Sequence, residues 1–162
     1  MDDGNAQHRG TASDFFAERI PEYDSLMRRA VSGYEAMTSA LLAELPPEAP
    51  PILELGCGTG NLTLQVAARY PAALLTLVDG SAEMVALTRH RLEERAPRQA
   101  EAATFITNWF EAVDFADGSF DLVTSAIALH HVADKTPLYR QVHRWLKPGG
   151  RFCFADQLRM QD

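Results

Sequence analysis

Three glycines alternate in Glu54-Leu55-Gly56-Cys57-Gly58-Thr59-Gly60, between the apolar run Ile52-Leu53 and a helix-like stretch from Asn61 to Tyr70. A turn of this composition lets a ligand approach bare backbone. No Cβ intrudes there, and tight turns need φ values open mainly to glycine. About 20 residues further on, a second apolar run, Leu74-Leu75-Thr76-Leu77-Val78, ends in Asp79. A carboxylate at that point is placed to accept hydrogen bonds from both hydroxyls of a ribose. The order strand, glycine turn, helix, strand, acid therefore points to a nucleotide-type cofactor. A dinucleotide fingerprint would carry a third glycine where this chain has Asn61, and that glycine lets a helix N-terminus meet a pyrophosphate. NAD is disfavoured on that ground.

The phrase E-x-G-x-G-x-G resembles motif I of the class I S-adenosylmethionine (SAM) dependent methyltransferases, and the likeness extends from about Phe15 to Asp156 through further pieces. Asp79-Gly80-Ser81-Ala82-Glu83-Met84 resembles the ribose-binding acid and the helix start that follows it, with Ser81 suited to cap the helix and Glu83 to its positive end. Asp117-Gly118-Ser119-Phe120-Asp121-Leu122-Val123, continuing through Ser125 to Leu129-His130-His131, resembles the turn and fourth strand. Leu146-Lys147-Pro148-Gly149-Gly150-Arg151-Phe152 resembles the turn before the fifth. The resemblance implies a Rossmann-like, doubly wound, mostly parallel sheet of order 3-2-1-4-5. It also implies SAM as cofactor, S-adenosylhomocysteine (SAH) as product, and a small-molecule acceptor of the kind met by quinone-biosynthesis and natural-product enzymes.

By the same resemblance, Glu54, Gly56, Cys57, Gly58, Gly60, Asp79, Gly80, Met84, Asn108, Trp109 and Ser125 are the expected cofactor-binding residues. The glycines would surround the methionine part, and Glu54 would reach its ammonium directly or through water. Many relatives end the third strand in Gly-Asp, the acid accepting from the adenine amino group. Here Thr107-Asn108-Trp109-Phe110 stands instead. Asn108 can still accept through its amide oxygen, while Trp109 either lies against the adenine or fills the core. His130 and His131 are weak catalytic candidates. Adjacent residues project in different directions, so a shared metal is not expected. Methyl transfer needs mainly alignment, with a base only when the nucleophile must lose a proton. Asp121 reads as a structural partner at a strand start.

The elements that must hold these residues follow from periodicity. Apolar positions from Tyr23 to Leu45 recur at spacings of three and four and predict one amphipathic helix, stopped by Pro46-Pro47. Alternating strand and helix segments then run over 52–55, 62–69, 74–78, 82–94, 104–107, 121–125, 137–146 and 151–155, the pattern of a parallel sheet covered on both faces. Residues 1–13 read as a flexible tail, and 14–162 as one domain with N-terminal helices over 14–50 and a core over 51–162. Relatives with a phrase like Ile20-Pro21-Glu22-Tyr23-Asp24 fold these helices over the cofactor, so Phe16, Tyr23, Met27 and Tyr34 are the expected lid of the acceptor pocket.

Bulk properties narrow the partners. Fifteen basic against 22 acidic residues give a formal charge of −7, which argues against electrostatic capture of nucleic acid or an anionic membrane. No signal peptide and no run of about 18 apolar residues is present, so a cytoplasmic protein is expected. Cys57 and Cys153 lack ligand spacing and read as reduced small hydrophobes, with no metal expected. The chain stops where the family's β6-β7 hairpin would begin. That leaves Phe152-Cys153-Phe154 at a bare sheet edge, expected either to mark a shortened chain or to pair with a partner, a homodimer being one option. Two rival functions stay open: a SAM-binding module without turnover, and a carboxy-SAM-synthase-like enzyme that modifies the cofactor.

Overall fold

Five strands, β1 (Pro51–Leu55), β2 (Leu74–Asp79), β3 (Thr104–Thr107), β4 (Phe120–Ala126) and β5 (Leu146–Ala155), pair in parallel in the order β3-β2-β1-β4-β5. This is the order expected from the sequence. The structure, a computed structural model, describes Ser25 and residues 33–157. Successive side chains of a strand point to opposite faces. Ile52, Leu75, Leu77 and Leu122 accordingly enter one apolar cluster, while Leu53, Leu55, Val78 and Val123 enter the other. Both faces are therefore covered, as parallel sheets require.

On the first face lie α1 (Tyr34–Glu44), α2 (Asn61–Arg69), α3 (Ala82–Arg95) and α4 (Pro97–Ala102), contributing Leu41, Leu62, Val66, Val85, Leu92 and Ala100 to the core. The second face is packed by α5 (Lys135–Trp145) through Leu138, Val142 and Trp145, together with short 3-10 turns at Phe110–Ala112 and Leu129–His131. Trp145 is fully buried, and Phe115 meets both it and Phe120 edge-on at 5.1 Å. Burying a side chain of that kind stabilises by about 2–3 kcal/mol.

Four differences from the sequence expectation have local causes. The helix expected to run unbroken from Tyr23 to Leu45 is interrupted. Gly33 adopts left-handed φ 78°, and α1 starts at Tyr34. Helix α4 carries too few apolar positions to show periodicity, but Pro97 starts it and the buried Gln99 side chain ties it to Tyr70 O at 2.8 Å. Helix α5 starts before Pro137, because Asp134 caps it by accepting from Thr136 N at 2.9 Å and proline is tolerated in a first turn. Strand β5 already pairs at Leu146. Phe120 faces Leu146 and Leu122 faces Arg151, so the Lys147–Gly150 turn bulges out of the ladder, with Gly149 at φ 80°.

Thr124 sits opposite Glu54 in the ladder, and its buried hydroxyl has no hydrogen-bond partner among the described residues. Asp121 takes the structural role expected of it, its Oδ2 receiving Lys147 Nζ at 3.0 Å.

Candidate functional site

The C-terminal ends of β1, β2 and β4 converge on the glycine turn, the position where open α/β sheets bind ligands. Gly56 N and Cys57 N both donate to Val78 O, at 2.8 and 3.1 Å, so the turn lies across the end of β2. Gly56, Gly58 and Gly60 all have positive φ, 78°, 52° and 86°. Their surroundings differ. A Cβ on Gly56 would collide with Ala128 Cβ and stand 3.1 Å from Phe110 Cζ, and one on Gly60 would press on Thr88. A Cβ on Gly58 would meet nothing within 4 Å. The turn is thus packed at both ends and bare in the middle, where a ligand can reach the backbone.

Asp79 stands beside that opening. Its Oδ2 accepts from Gly58 N and its Oδ1 from Ser81 N, both at 2.9 Å. Burial pushes the carboxyl above its usual value, against the opposing effect of the hydrogen bonds from the Ser81, Gly58 and Gly80 backbone. The two oxygens offer about four lone-pair sites between them, so the carboxylate keeps acceptor capacity beyond these backbone bonds. Ser81 caps α3 as expected, accepting from Met84 N at 3.3 Å, and Met84 itself is buried below.

Glu54 is 1% exposed, and its Oε2 accepts from Thr63 Oγ1 at 2.8 Å. Burial pushes this carboxyl from 4.5 up to about 8, Asp79 adding to the rise and the Thr63 bond opposing it. Since the folded chain holds a proton here that the unfolded chain releases, stability is greatest below pH 4.5 and falls as pH rises toward about 8. The contribution lost is at most on the order of 5 kcal/mol. Thermal unfolding across that window is expected to show a steeper decline for the native chain than for Glu54→Gln. Identical slopes would mean that Glu54 stays ionised. The Cys57 thiol is pushed well above its usual value, by burial first and then by Asp79 and Glu54. It is a buried apolar filler in the turn, and both cysteines are free.

Further polar groups hold the turn from outside. Thr88 Oγ1 donates to Gly58 O at 2.7 Å, and Arg91 reaches Thr59 O at 2.6 Å and Asn61 Oδ1 at 3.3 Å. Thr63, Thr88 and Arg91 were not singled out from the sequence. Their only signal is spacing, Thr88 and Arg91 sharing a face of α3 three residues apart. Ser125 is fully buried and donates to Leu55 O at 2.7 Å, tying β4 to the root of the turn.

At the end of β3, Asn108 N donates to Asp79 O, and Asn108 Oδ1 accepts from Trp109 N, each at 2.9 Å. The Trp109 ring lies over Gly80, so close that a Cβ there would stand 2.6 Å from it. Asn108 and Trp109 thus flank the Asp79 side of the opening.

On the other side, Ile127 leaves β4 with φ 52°, a sparsely populated conformation for a β-branched residue, and leads into the Leu129–His131 turn. His130 meets Asp156 there, Nδ1 to Oδ1 at 2.8 Å. His130 and His131 lie with ring centres 4.1 Å apart, so these neighbours do not project in different directions as expected from the sequence, because the Leu129–His131 segment is a tight 3-10 turn and not a strand. Asp156 was missed because its partner is 26 residues away in sequence. Of the expected lid, Phe16, Tyr23 and Met27 lie outside the described residues, and Tyr34 opens α1 half-buried. No group of three or more metal-ligating side chains occurs among the described residues, and no helix among them is long and apolar enough to cross a membrane.

Known proteins resemble this chain in sequence and fold. Residues 52–150 match the family described as a methyltransferase domain. The chain is 33% identical over 146 residues to a ubiquinone/menaquinone biosynthesis C-methyltransferase of Geotalea daltonii, covering 88% of this chain and 61% of that one. It is 34% identical over 151 residues to a malonyl-[acyl-carrier protein] O-methyltransferase of Geobacter sulfurreducens, covering 93% of this chain and 51% of that one. Among solved structures, a SAM-dependent methyltransferase from Mesorhizobium loti superposes with a TM-score of 0.62 at 32% identity, over 72% of this chain and 51% of that chain. The chain thus spans between half and two thirds of the length of these relatives.

Proposed function

Because the chain belongs to the class I SAM-dependent methyltransferases, we propose that it transfers a methyl group from SAM to a small-molecule acceptor and releases SAH. The observation that carries this reading is the pairing of an open, left-handed Gly58 with a carboxylate, Asp79, fixed beside it by two backbone N–H groups. That pairing suits a ligand with a ribose and no phosphate. Bare backbone admits it, and the carboxylate accepts from its hydroxyls.

Bound SAM supplies an electrophilic methyl carbon on a sulfonium. The residues of the chain do the rest. Gly56, Gly58 and Gly60 shape the turn around the methionine part, Glu54 lies beneath it as the acid that the ammonium of bound SAM would ionise and pair with, and Asp79 holds the ribose. Gly80, Asn108 and Trp109 border the adenine side, while Cys57, Met84 and Ser125 support the pocket from within. The Leu129–His131 turn faces the acceptor side. In-line displacement needs a nucleophile held in the right direction, which a fixed pocket supplies.

The reading is tested by incubating the chain with methyl-labelled SAM and a panel of quinols, phenols, amines and acyl thioester carboxylates. Label in one class of product supports it. SAH binding with no label transferred to any of them would make the protein a SAM-binding module instead. We propose that the side of β5 facing away from β4 pairs with a second copy, since β5 is the outermost strand among the described residues and Phe154 is 43% exposed. Light scattering that finds only a monomer at high concentration would contradict this.

A further inference from the structure

Resting on the methyltransferase reading above, we propose that His130 is the general base for acceptors that carry a hydroxyl proton, and that Asp156 is the positioning residue that holds its ring for that task. The geometry is specific. Strand β5 pairs Ala155 with Ala126 at the end of β4, and Ile127 N donates to Ala155 O at 2.8 Å, so Asp156 emerges beside the Leu129–His131 turn. Its Oδ2 accepts from His130 N at 2.8 Å, and its Oδ1 meets His130 Nδ1 at 2.8 Å and Gln157 N at 2.7 Å. One carboxylate thus grips both backbone and ring of the same histidine.

A carboxylate can only accept, so a neutral His130 carries its proton on Nδ1 and presents Nε2 as a proton acceptor. Asp156 is 10% exposed at its side chain and His130 25%, so the orienting acid is sequestered while the ring keeps an open side. Burial raises the Asp156 carboxyl, but the hydrogen bonds from the His130 ring and Gln157 N, with the charge and backbone N–H of His130, outweigh it and hold the group below its usual value. Among the described residues, the titratable groups against the His130 ring are Asp156 from the end of β5 and His131 from its own turn. Ala128, two residues before His130, abuts Gly56, which brings the pair next to the glycine turn.

In the reaction, a hydroxyl oxygen bonds the methyl carbon while the carbon–sulfur electron pair returns to sulfur, leaving a thioether. The hydroxyl proton passes to His130 Nε2, the resulting imidazolium is held by Asp156, and the proton then leaves to water. A carboxylate acceptor has no proton to lose at neutral pH and would leave such a base idle. The arrangement therefore selects hydroxyl-bearing acceptors such as quinols, phenols or alcohols.

Two measurements on the full chain test this. Nitrogen-15 spectra of histidine-labelled protein with SAH bound are expected to place the His130 proton on Nδ1, and Asp156→Asn to disturb that assignment. With methyl-labelled SAM, a naphthohydroquinol and catechol are the hydroxyl probes and a malonyl thioester is the carboxylate control. His130→Gln is expected to lower kcat on the hydroxyl probes about 100-fold or more, and Asp156→Asn about tenfold or more, with SAH affinity within about twofold of native. The Asp156→Asn defect should shrink as pH approaches the pKa of the probe, which a purely structural lesion would not do. The proposal is overturned if the proton sits on Nε2, if both variants keep the native rate, or if the chain binds SAH yet methylates only the carboxylate or nothing. Failure of the native chain to bind SAH at all would overturn the underlying reading, and this one with it.

Discussion

Gly56→Ala is expected to destabilise the fold by about 3 kcal/mol, lowering the thermal midpoint by about 10 °C. Two costs combine. The backbone at Gly56 has φ 78°, where an L side chain is strained, and the added methyl would collide with Ala128 Cβ and crowd Phe110 Cζ at 3.1 Å. Neither neighbour can give way cheaply, since Ala128 is joined to the strained Ile127 and Phe110 belongs to the core of the second face. Gly58→Ala is the control. It pays a similar conformational cost of about 1 kcal/mol, but its methyl enters open space, so it should fold nearly as well while losing SAH affinity at least about tenfold. Circular dichroism melts with SAH titrations of both variants separate the two roles. A Gly56→Ala protein that melts with the native chain would show that the turn is not packed as described.

Asp79→Ala is expected to weaken SAH binding by at least about 100-fold, the loss of two hydrogen bonds to a charged acceptor. The side chain does two jobs. It fixes the turn through Gly58 N and the start of α3 through Ser81 N, and it offers its remaining acceptor positions to the ligand. Asp79→Asn keeps one acceptor oxygen and is expected to lose about tenfold, because one backbone donor or one ligand hydroxyl is left unmatched. Calorimetry on the two variants gives the order native, asparagine, alanine. Equal affinity for native and alanine proteins would remove Asp79 from the binding site altogether.

The parts of this site that were legible in the sequence are those whose chemistry is local. Three alternating glycines can form only a few turns, an acid at the end of an apolar run must stand at the end of a strand, and Ser81 two residues later is where a helix cap belongs. The parallel, doubly wound sheet was legible because strand and helix segments alternate, while its order 3-2-1-4-5 was legible only through the resemblance to the methyltransferase family. What was hidden depends on packing across the fold. The partnership of His130 with Asp156 exists only once β4 and β5 lie side by side. Thr63 as the partner of Glu54, and Thr88 and Arg91 as supports of the turn, require helices to be laid on the sheet. The break at Gly33 was concealed by apolar spacing that continues through it, since periodicity reports which face is apolar and not whether the backbone turns.

The central claim is that the open middle of the glycine turn, with Asp79 beside it, is a SAM pocket. Calorimetric titration of the purified chain with SAH, and in parallel with NAD, tests this most directly. The account predicts one-to-one binding of SAH with a Kd of about 1 μM, and no heat with NAD. A chain whose circular dichroism shows the folded α/β structure but which takes up no SAH, or binds NAD in its place, would contradict it.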